Sequence, residues 1–431
     1  VRAIAVRKKL RWCALAVLGF VLSVVASCNI GPSPSAMGEL EFWTMQLQPQ
    51  FTEYFESAIA NFETANPEVK VRWTDIPWEA METKILNAVS TNTAPDVVNL
   101  NPNFASQLAT RKAWLNLNDS IEAWEKQEYL PNIWRASSLG DLSFGIPWYL
   151  TTTITIYNQD LLQQAGIDRP PATYAELAKV AREVKEKTGK YAFFATVVPN
   201  NSAEVLESLV QMGVQLVDGS GKAGFNTPEG IEAFRYWVDL YQQGLLPPEA
   251  LTQGHRYGIE LYQAGEVALL SSGAQFLEAI ATNAPTIAQV SASAPQITGT
   301  TGKKNVAVMN LAIPRETDRP EDAVKFALFI TNTENQLAFA KAANVLPSTK
   351  AAVQAFLGEL EAKSEPTALE QALQVSAAQL ADAEVLVPAM ENLNRLQKAV
   401  YENLQAAMLA KKTVEQAVAD AAAEWDASLN L

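Results

Sequence analysis

The side chains best placed for chemistry in this sequence are carboxamides and large rings rather than nucleophiles. Trp43, Gln46 and Gln48 follow the apolar run that starts at Leu40, and Asn101 and Asn103 follow Val97-Val98. Amides gathered after apolar runs favour a polar cleft, although Asn is also at home in any turn. Ser271-Ser272-Gly273-Ala274-Gln275-Phe276 follows another apolar run and opens a helix, so its backbone N–H groups, Ser272 and Gln275 would face such a cleft. Asn310 stands among Val308, Met309 and Leu311 and needs a polar partner, either backbone or ligand. Trp78-Glu79 opens a helix, where a carboxylate sits well with or without a ligand. Tyr236, Trp237 and Tyr241 share one helix and read as packing, and His255 reads as a solvent-exposed loop residue.

Catalysis has little to work with. The chain has one His and two Cys, so Ser-His-Asp chemistry is confined to His255 and a His- or Cys-rich zinc site is excluded. Hydrolysis of a glycosidic bond needs only two carboxylates about 5 to 9.5 Å apart. No Asp/Glu pair stands out in the candidate segments, and no cofactor is implied.

The start of the chain sets the compartment. Arg2, Arg7, Lys8, Lys9 and Arg11 precede an uncharged run over 12–26, which at roughly 15 residues is shorter than the ~20 of a spanning helix. It reads as a signal peptide over 1–27. Val25-Ala26-Ser27-Cys28 resembles a bacterial lipobox, which implies cleavage before Cys28, its lipidation and an extracytoplasmic protein. Cys13 leaves with the leader, so no disulfide is available. Residues 28–38 are a Pro/Ser/Gly tether.

The whole chain carries 33 Lys+Arg against 47 Asp+Glu. Removing the five basic leader residues leaves 28 against 47, a net charge of −19, which argues against nucleic acid and anionic membrane surfaces. About 400 residues exceed what one core organises, so two domains are expected.

The elements that must position these residues alternate. A strand at 40–43, a helix over 51–64 with Phe51, Phe55, Ile59 and Phe62 on one face, a strand at 69–73, a helix over 78–89 and a strand at 95–98 predict a largely parallel sheet. An extended run over 152–158 is long enough to pass between lobes, and 305–313 is a second such segment. Thr173 with Glu176 three residues on starts a helix to 188. Residues 351–429 predict a run of helices capping the second lobe, with Pro366 and Pro388 breaking any heptad.

In this order the pieces resemble the bacterial extracellular carbohydrate-binding proteins of ABC importers, the group of maltose- and trehalose-binding proteins. The resemblance runs over most of 39–429. It is carried by Phe62-Glu63-Thr64-Ala65-Asn66-Pro67, Ala94-Pro95-Asp96-Val97-Val98, Gly145-Ile146-Pro147, Tyr157-Asn158-Gln159-Asp160-Leu161-Leu162 and Tyr262-Gln263-Ala264-Gly265-Glu266, where Glu266 replaces the usual Lys. It implies an α/β, two-lobed periplasmic-binding-protein fold with a hinge and a helical C-terminal segment. The expected lobes are 39–152 with 306–350, and 153–305 with 351–431.

The resemblance further implies a non-enzymatic, monomeric substrate-binding component that closes on a neutral sugar or glycoside and meets membrane permease subunits. It makes Trp148 and Tyr149 candidates for stacking, with a core role as the alternative for Trp148, and Phe276 a ligand-contacting ring. A polyamine or glycerol-linked solute on the same fold is an alternative, as is a secreted glycosidase. Cation capture would require carboxylates boxed by aromatics.

Overall fold

A computed structural model describes residues 38–199, 201–387, 390 and 392–429, without the side chains of Glu79, Pro102 and Asn103. The leader, Cys28 and all of the tether except Gly38 lie outside the described residues.

The first half alternates as the periodicity predicts: β1 (Glu39–Met45), α1 (Thr52–Ala65), β2 (Lys70–Ile76), α2 (Trp78–Ser90), β3 (Val97–Leu100) and α3 (Pro102–Thr110). Phe55, Ala58 and Phe62 bury one face of α1, and Asn66 ends it by donating its side-chain amide to the Phe62 carbonyl at 2.8 Å. The chain then crosses between lobes in β4 (Ile146–Thr152) and β5 (Ile154–Asn158). Beyond lie α4 (Tyr174–Thr188), α5 (Glu204–Gln211), α6 (Pro228–Gln242), α7 (His255–Gln263), β6 (Leu269–Ser272), α8 (Phe276–Asn283) and β7 (Ser291–Pro295). The chain returns in β8 (Lys304–Ala312), followed by α9 (Pro320–Ile330), α10 (Thr333–Ala343), β9 (Leu346–Pro347), α11 (Lys350–Glu361), α12 (Ala368–Ala378), α13 (Leu393–Met408) and α14 (Val414–Ser428).

The larger sheet has the order β9-β4-β8-β3-β1-β2, with a two-residue strand Ala383–Glu384 beside β8. β1 pairs in parallel with β2 and β3, as expected. The sheet is nevertheless mixed, because the returning β8 inserts between β3 and β4 and runs antiparallel to both. Both faces are covered: Phe42, Phe55, Trp148, Phe326 and Phe339 cluster on one, and Trp43, Met81, Trp114 and Phe144 on the other. Helices on both faces leave the inner strands β3 and β8 largely apolar on both sides, whereas the edge strand β2 stays partly exposed.

The smaller sheet, β6-β5-β7, is wholly antiparallel. Its core joins Leu177, Phe193, Leu206, Phe234 and Trp237 to Leu396, Tyr401 and Trp425 of the last two helices. Thus α13 and α14 cover the second lobe against α6, whereas α11 packs on α10 and β9 and α12 on β7. The C-terminal helices therefore serve both halves.

The two crossings are tied together at Gln379, just past α12. Its Nε2 donates to Thr152 Oγ1 at 3.3 Å and to the Thr153 carbonyl at 3.2 Å, and its Oε1 accepts from Gln296 N–H at 2.8 Å. Gln296 Oε1 accepts from Asn305 N–H at 2.6 Å. Gln379, Gln296 and Thr152 are buried, so removing the Gln379 carboxamide strands polar groups away from water. Gln379→Ala is expected to cost about 2–4 kcal/mol of stability, read by denaturant unfolding; a loss within ~0.5 kcal/mol, the range of ordinary surface substitutions, would mean that the crossings are held by their strands alone.

Candidate functional site

In the first lobe, the expected site residues serve mainly as structure. Trp43 is 8% exposed beneath α2, with Lys84 Nζ 4.5 Å from its ring centroid, so its faces are taken up by packing and by a cation. Trp148 is fully buried and stacked on Phe339 at 4.9 Å, with Tyr149 edge-on at 5.0 Å. This corrects its expected stacking role: β4 aims the indole into the aromatic core, where Nε1 has no partner. Tyr149 is half-buried beside the same rings, and burial followed by the Asp75 charge pushes its hydroxyl up.

Asn310 is also fully buried. Its amide donates to the Val308 carbonyl at 2.8 Å, its Oδ1 is unpaired, and its side chain lies where any Cβ on Gly145 would stand, 2.9 Å away. It is a core amide, not a cleft residue.

Gln46 and Asn101 lie at strand ends as expected. Gln46 is exposed, with φ +52°, and accepts from Trp78 N–H at 3.3 Å. The turn beside it is held by Asp75, which accepts from Thr44 Oγ1 at 2.6 Å and from the Leu47 and Gln48 N–H groups at 2.9 and 3.0 Å. Asn101 caps α3 by accepting from Phe104 N–H at 2.9 Å. Asn103 lies in α3, but its side chain is outside the described residues.

In the second lobe, Ser272 is buried opposite Ile154, the Gln275 carboxamide lies over Gly273, and Phe276 packs half-buried against the core shared by both sheets. None of the nine whose side chains are described lines the cavity at the end of the small sheet.

This cavity, open to solvent, occupies the end of the small sheet next to the crossings. Thr155 and the exposed Ser271, a register pair one step from the Ile154–Ser272 pair, form part of its rim with Gln296. Tyr174, Phe193, Phe194 and Trp237 supply its rings. One face of α5 supplies Glu204, Glu207 and Gln211, which at i, i+3 and i+7 must project to one side of a helix.

That face is fixed by hydrogen bonds. Trp237 Nε1 donates to Ser208 Oγ at 2.9 Å, Tyr174 donates its hydroxyl to Gln211 Oε1 at 2.6 Å, and Gln211 Nε2 donates to the Lys303 carbonyl at 2.9 Å. Gly299 lets the chain pass: a Cβ there would lie 2.3 Å from the Gln211 carbonyl oxygen.

The two carboxylates differ. Glu204 accepts from Thr196 N–H at 2.6 Å and lies 3.4 Å from His255 Nδ1. Glu207 accepts no hydrogen bond among the described residues; burial pushes its carboxyl up to about 7, the Glu204 charge adds to this, and His255 opposes it. For His255, burial favours the neutral ring, but its bond to Glu204 and the two carboxylate charges outweigh this and raise its pKa. The histidine therefore begins α7 as the partner of a carboxylate, rather than sitting in a solvated loop.

Sequence reading missed this site, although the spacing of Glu204, Glu207 and Gln211 carried its signal. Rings and hydrogen-bonding groups around one cavity can hold the apolar faces and polar edges of a small molecule together.

The shifted pair sets a pH dependence. Folded Glu207 keeps its proton to higher pH than an unfolded carboxylate, so between its ordinary range and about 7 the folded chain binds the extra proton and stability falls as pH rises. His255, also raised, loses its contribution in the same direction. The lowered carboxylates Glu63, Glu176 and Glu370 lose theirs only at more acidic pH. Melting of the ligand-free protein from pH 5.5 to 8 should show this decline, and Glu207→Gln should flatten it by on the order of 1 kcal/mol per pH unit. An identical slope in the variant would place the titration elsewhere.

Residues 48–337 match the family described as bacterial extracellular solute-binding protein. A protein of Synechococcus sp. MITs9220, provisionally assigned as an oligosaccharide periplasmic-binding protein and solved in complex with zinc, is 46% identical with a TM-score of 0.85, covering 91% of this chain and 99% of its own. Among the described residues of the present chain, no group of three or more His, Cys, Asp or Glu is placed to hold a metal. The cyclic α-maltosyl-1,6-maltose binding protein of Arthrobacter globiformis shares the fold at TM-score 0.78 and 20% identity, over 91% of this chain and 98% of its own. An arabinooligosaccharide-binding protein of Halalkalibacterium halodurans is 24% identical over 270 residues, 60% of this chain and 59% of that one. With its two-lobed fold and this match, the chain belongs to the bacterial extracellular solute-binding protein family.

Proposed function

We propose that this protein is the capturing component of an ABC importer and that it encloses a carbohydrate, a disaccharide, oligosaccharide or glycoside, between its lobes without transforming it. The observation that carries this reading is the cavity at the crossing end of the small sheet, where four aromatic rings meet carboxylates, amides and hydroxyls. Rings cover the C–H faces of a pyranose and the polar groups take its hydroxyls. Sugar-binding relatives of the same family support the assignment.

In this reading the first lobe closes over the cavity by hinge motion and brings Gln46, Asn101 and Asn103, with the exposed Trp78, from its strand ends. Capture without turnover fits the carboxylates. Glu204 and Glu207 project from one side of one helix, whereas glycoside hydrolysis needs acids flanking the scissile bond. The protein acts as a monomer outside the cytoplasm, anchored through a lipid on Cys28 and meeting permease subunits. Among the described residues no helix is long and apolar enough to cross a membrane. Transfer of the Cys28→Ser protein from the detergent to the aqueous phase is the expected test of the anchor; unchanged partitioning would refute it.

A thermal-shift and calorimetric survey of mono-, di- and oligosaccharides tests the ligand class. Ser271→Trp, a bulky ring at an exposed rim position, should weaken the tightest carbohydrate by at least about tenfold, roughly 1.4 kcal/mol, with melting nearly unchanged. Undiminished binding would remove this cavity from the site.

A further inference from the structure

We propose that the cavity discriminates in favour of carbohydrates bearing a protonated amine, which Glu207 receives within walls formed by Tyr174, Phe193 and Trp237. This rests on the carbohydrate reading above and specifies its chemistry. The argument begins with the difference between the two acids. Glu204 is already satisfied by the Thr196 N–H group and paired with His255. Glu207 accepts no hydrogen bond among the described residues, although it lines the same cavity. No Lys or Arg is among the residues lining it. Glu204 has His255 beside it, whereas ionised Glu207 is a negative charge with no Lys or Arg in the cavity lining.

A half-buried carboxylate facing a cavity without a cationic side chain is poorly compensated, and the molecule that relieves it is one that brings a cation. An ammonium group is suited to the place on a second count. Trp237 stands edge-on to Phe193 at 6.0 Å and to Tyr174 at 6.2 Å, so the rings turn different faces around the space. Ring faces attract a cation further once water is excluded. The acidic chain, with formal net charge −14, draws cations toward it.

The same group explains how an uncharged sugar is admitted. Protonated Glu207 is a neutral donor and acceptor for a hydroxyl, and ionised Glu207 is a counter-charge for an amine. The charges that act on it are Glu204 on its own helix and His255 at the start of α7, while Tyr174 on α4 and Tyr401 on α13 have hydroxyls pushed up by burial and stay neutral. Affinity for the amine should therefore rise from pH 5.5 to 7.5 as Glu207 ionises, and affinity for an uncharged counterpart should stay level or fall.

The test is calorimetry with matched gluco- and galacto-disaccharides in amine, N-acetyl and hydroxyl forms, with spermidine beside them, using the mature protein and Glu207→Gln. The expected result is an amine preference of about tenfold or more at pH 7.5, reduced to near unity in Glu207→Gln. Carbohydrate binding without that preference, or with a preference untouched by Glu207→Gln, would overturn the amine subsite and leave the carbohydrate reading standing. Spermidine bound through Glu207 with no saccharide bound would do the reverse. The variant removes a half-buried, uncompensated charge, so its melting temperature, expected at or above that of the parent, verifies that it is folded.

Discussion

Everything in this molecule depends on how two chain crossings are held side by side. β4 leaves the large sheet at Thr152, β8 re-enters it at Lys304, and the carboxamide of Gln379 spans the gap from a third, C-terminal segment. A buried amide has four hydrogen-bonding positions to fill, and any left empty costs about as much as a full hydrogen bond gains. The donors and acceptors on Thr152, Thr153 and Gln296 are therefore locked into one arrangement. Thr155 and Gln296, a few residues away, inherit their placement from it and form one side of the cavity.

α5 supplies the carboxylates of the same cavity, and its chemistry is that of a half-buried acid with no cation beside it. Desolvation and the Glu204 charge raise the free energy of ionised Glu207, and Glu204 is itself paired with His255. Stability and binding then pull against each other at a single residue. The protein tolerates the unmatched carboxylate because a proton or a ligand can match it, an arrangement characteristic of sites rather than of cores.

The fold was legible where local rules decide it. Thr173 accepts from Glu176 N–H at 3.2 Å, as a cap before residue 174 should. Phe55 and Phe62 bury together because seven residues make two helical turns. The mixed sheet was not legible, since β8 reaches its place between β3 and β4 only after the whole small sheet has been built, and no local pattern encodes that pairing. Trp148 lost its expected role for a similar reason: its sequence neighbours fix a strand, but only Phe339 and Phe55, distant in sequence, show that the indole faces a filled core. Glu204 and Glu207 were passed over because acids on a helix are usually solvated. Their meaning appears only when Tyr174, Phe193 and Trp237 close around them.

The most direct measurement is a crystal structure of the protein with the tightest carbohydrate from the binding survey. A sugar ring lying against Trp237 or Phe193, with one of its polar atoms in hydrogen-bond range of Glu207, is the expected result. A sugar lodged elsewhere, with this cavity left to water, would contradict it.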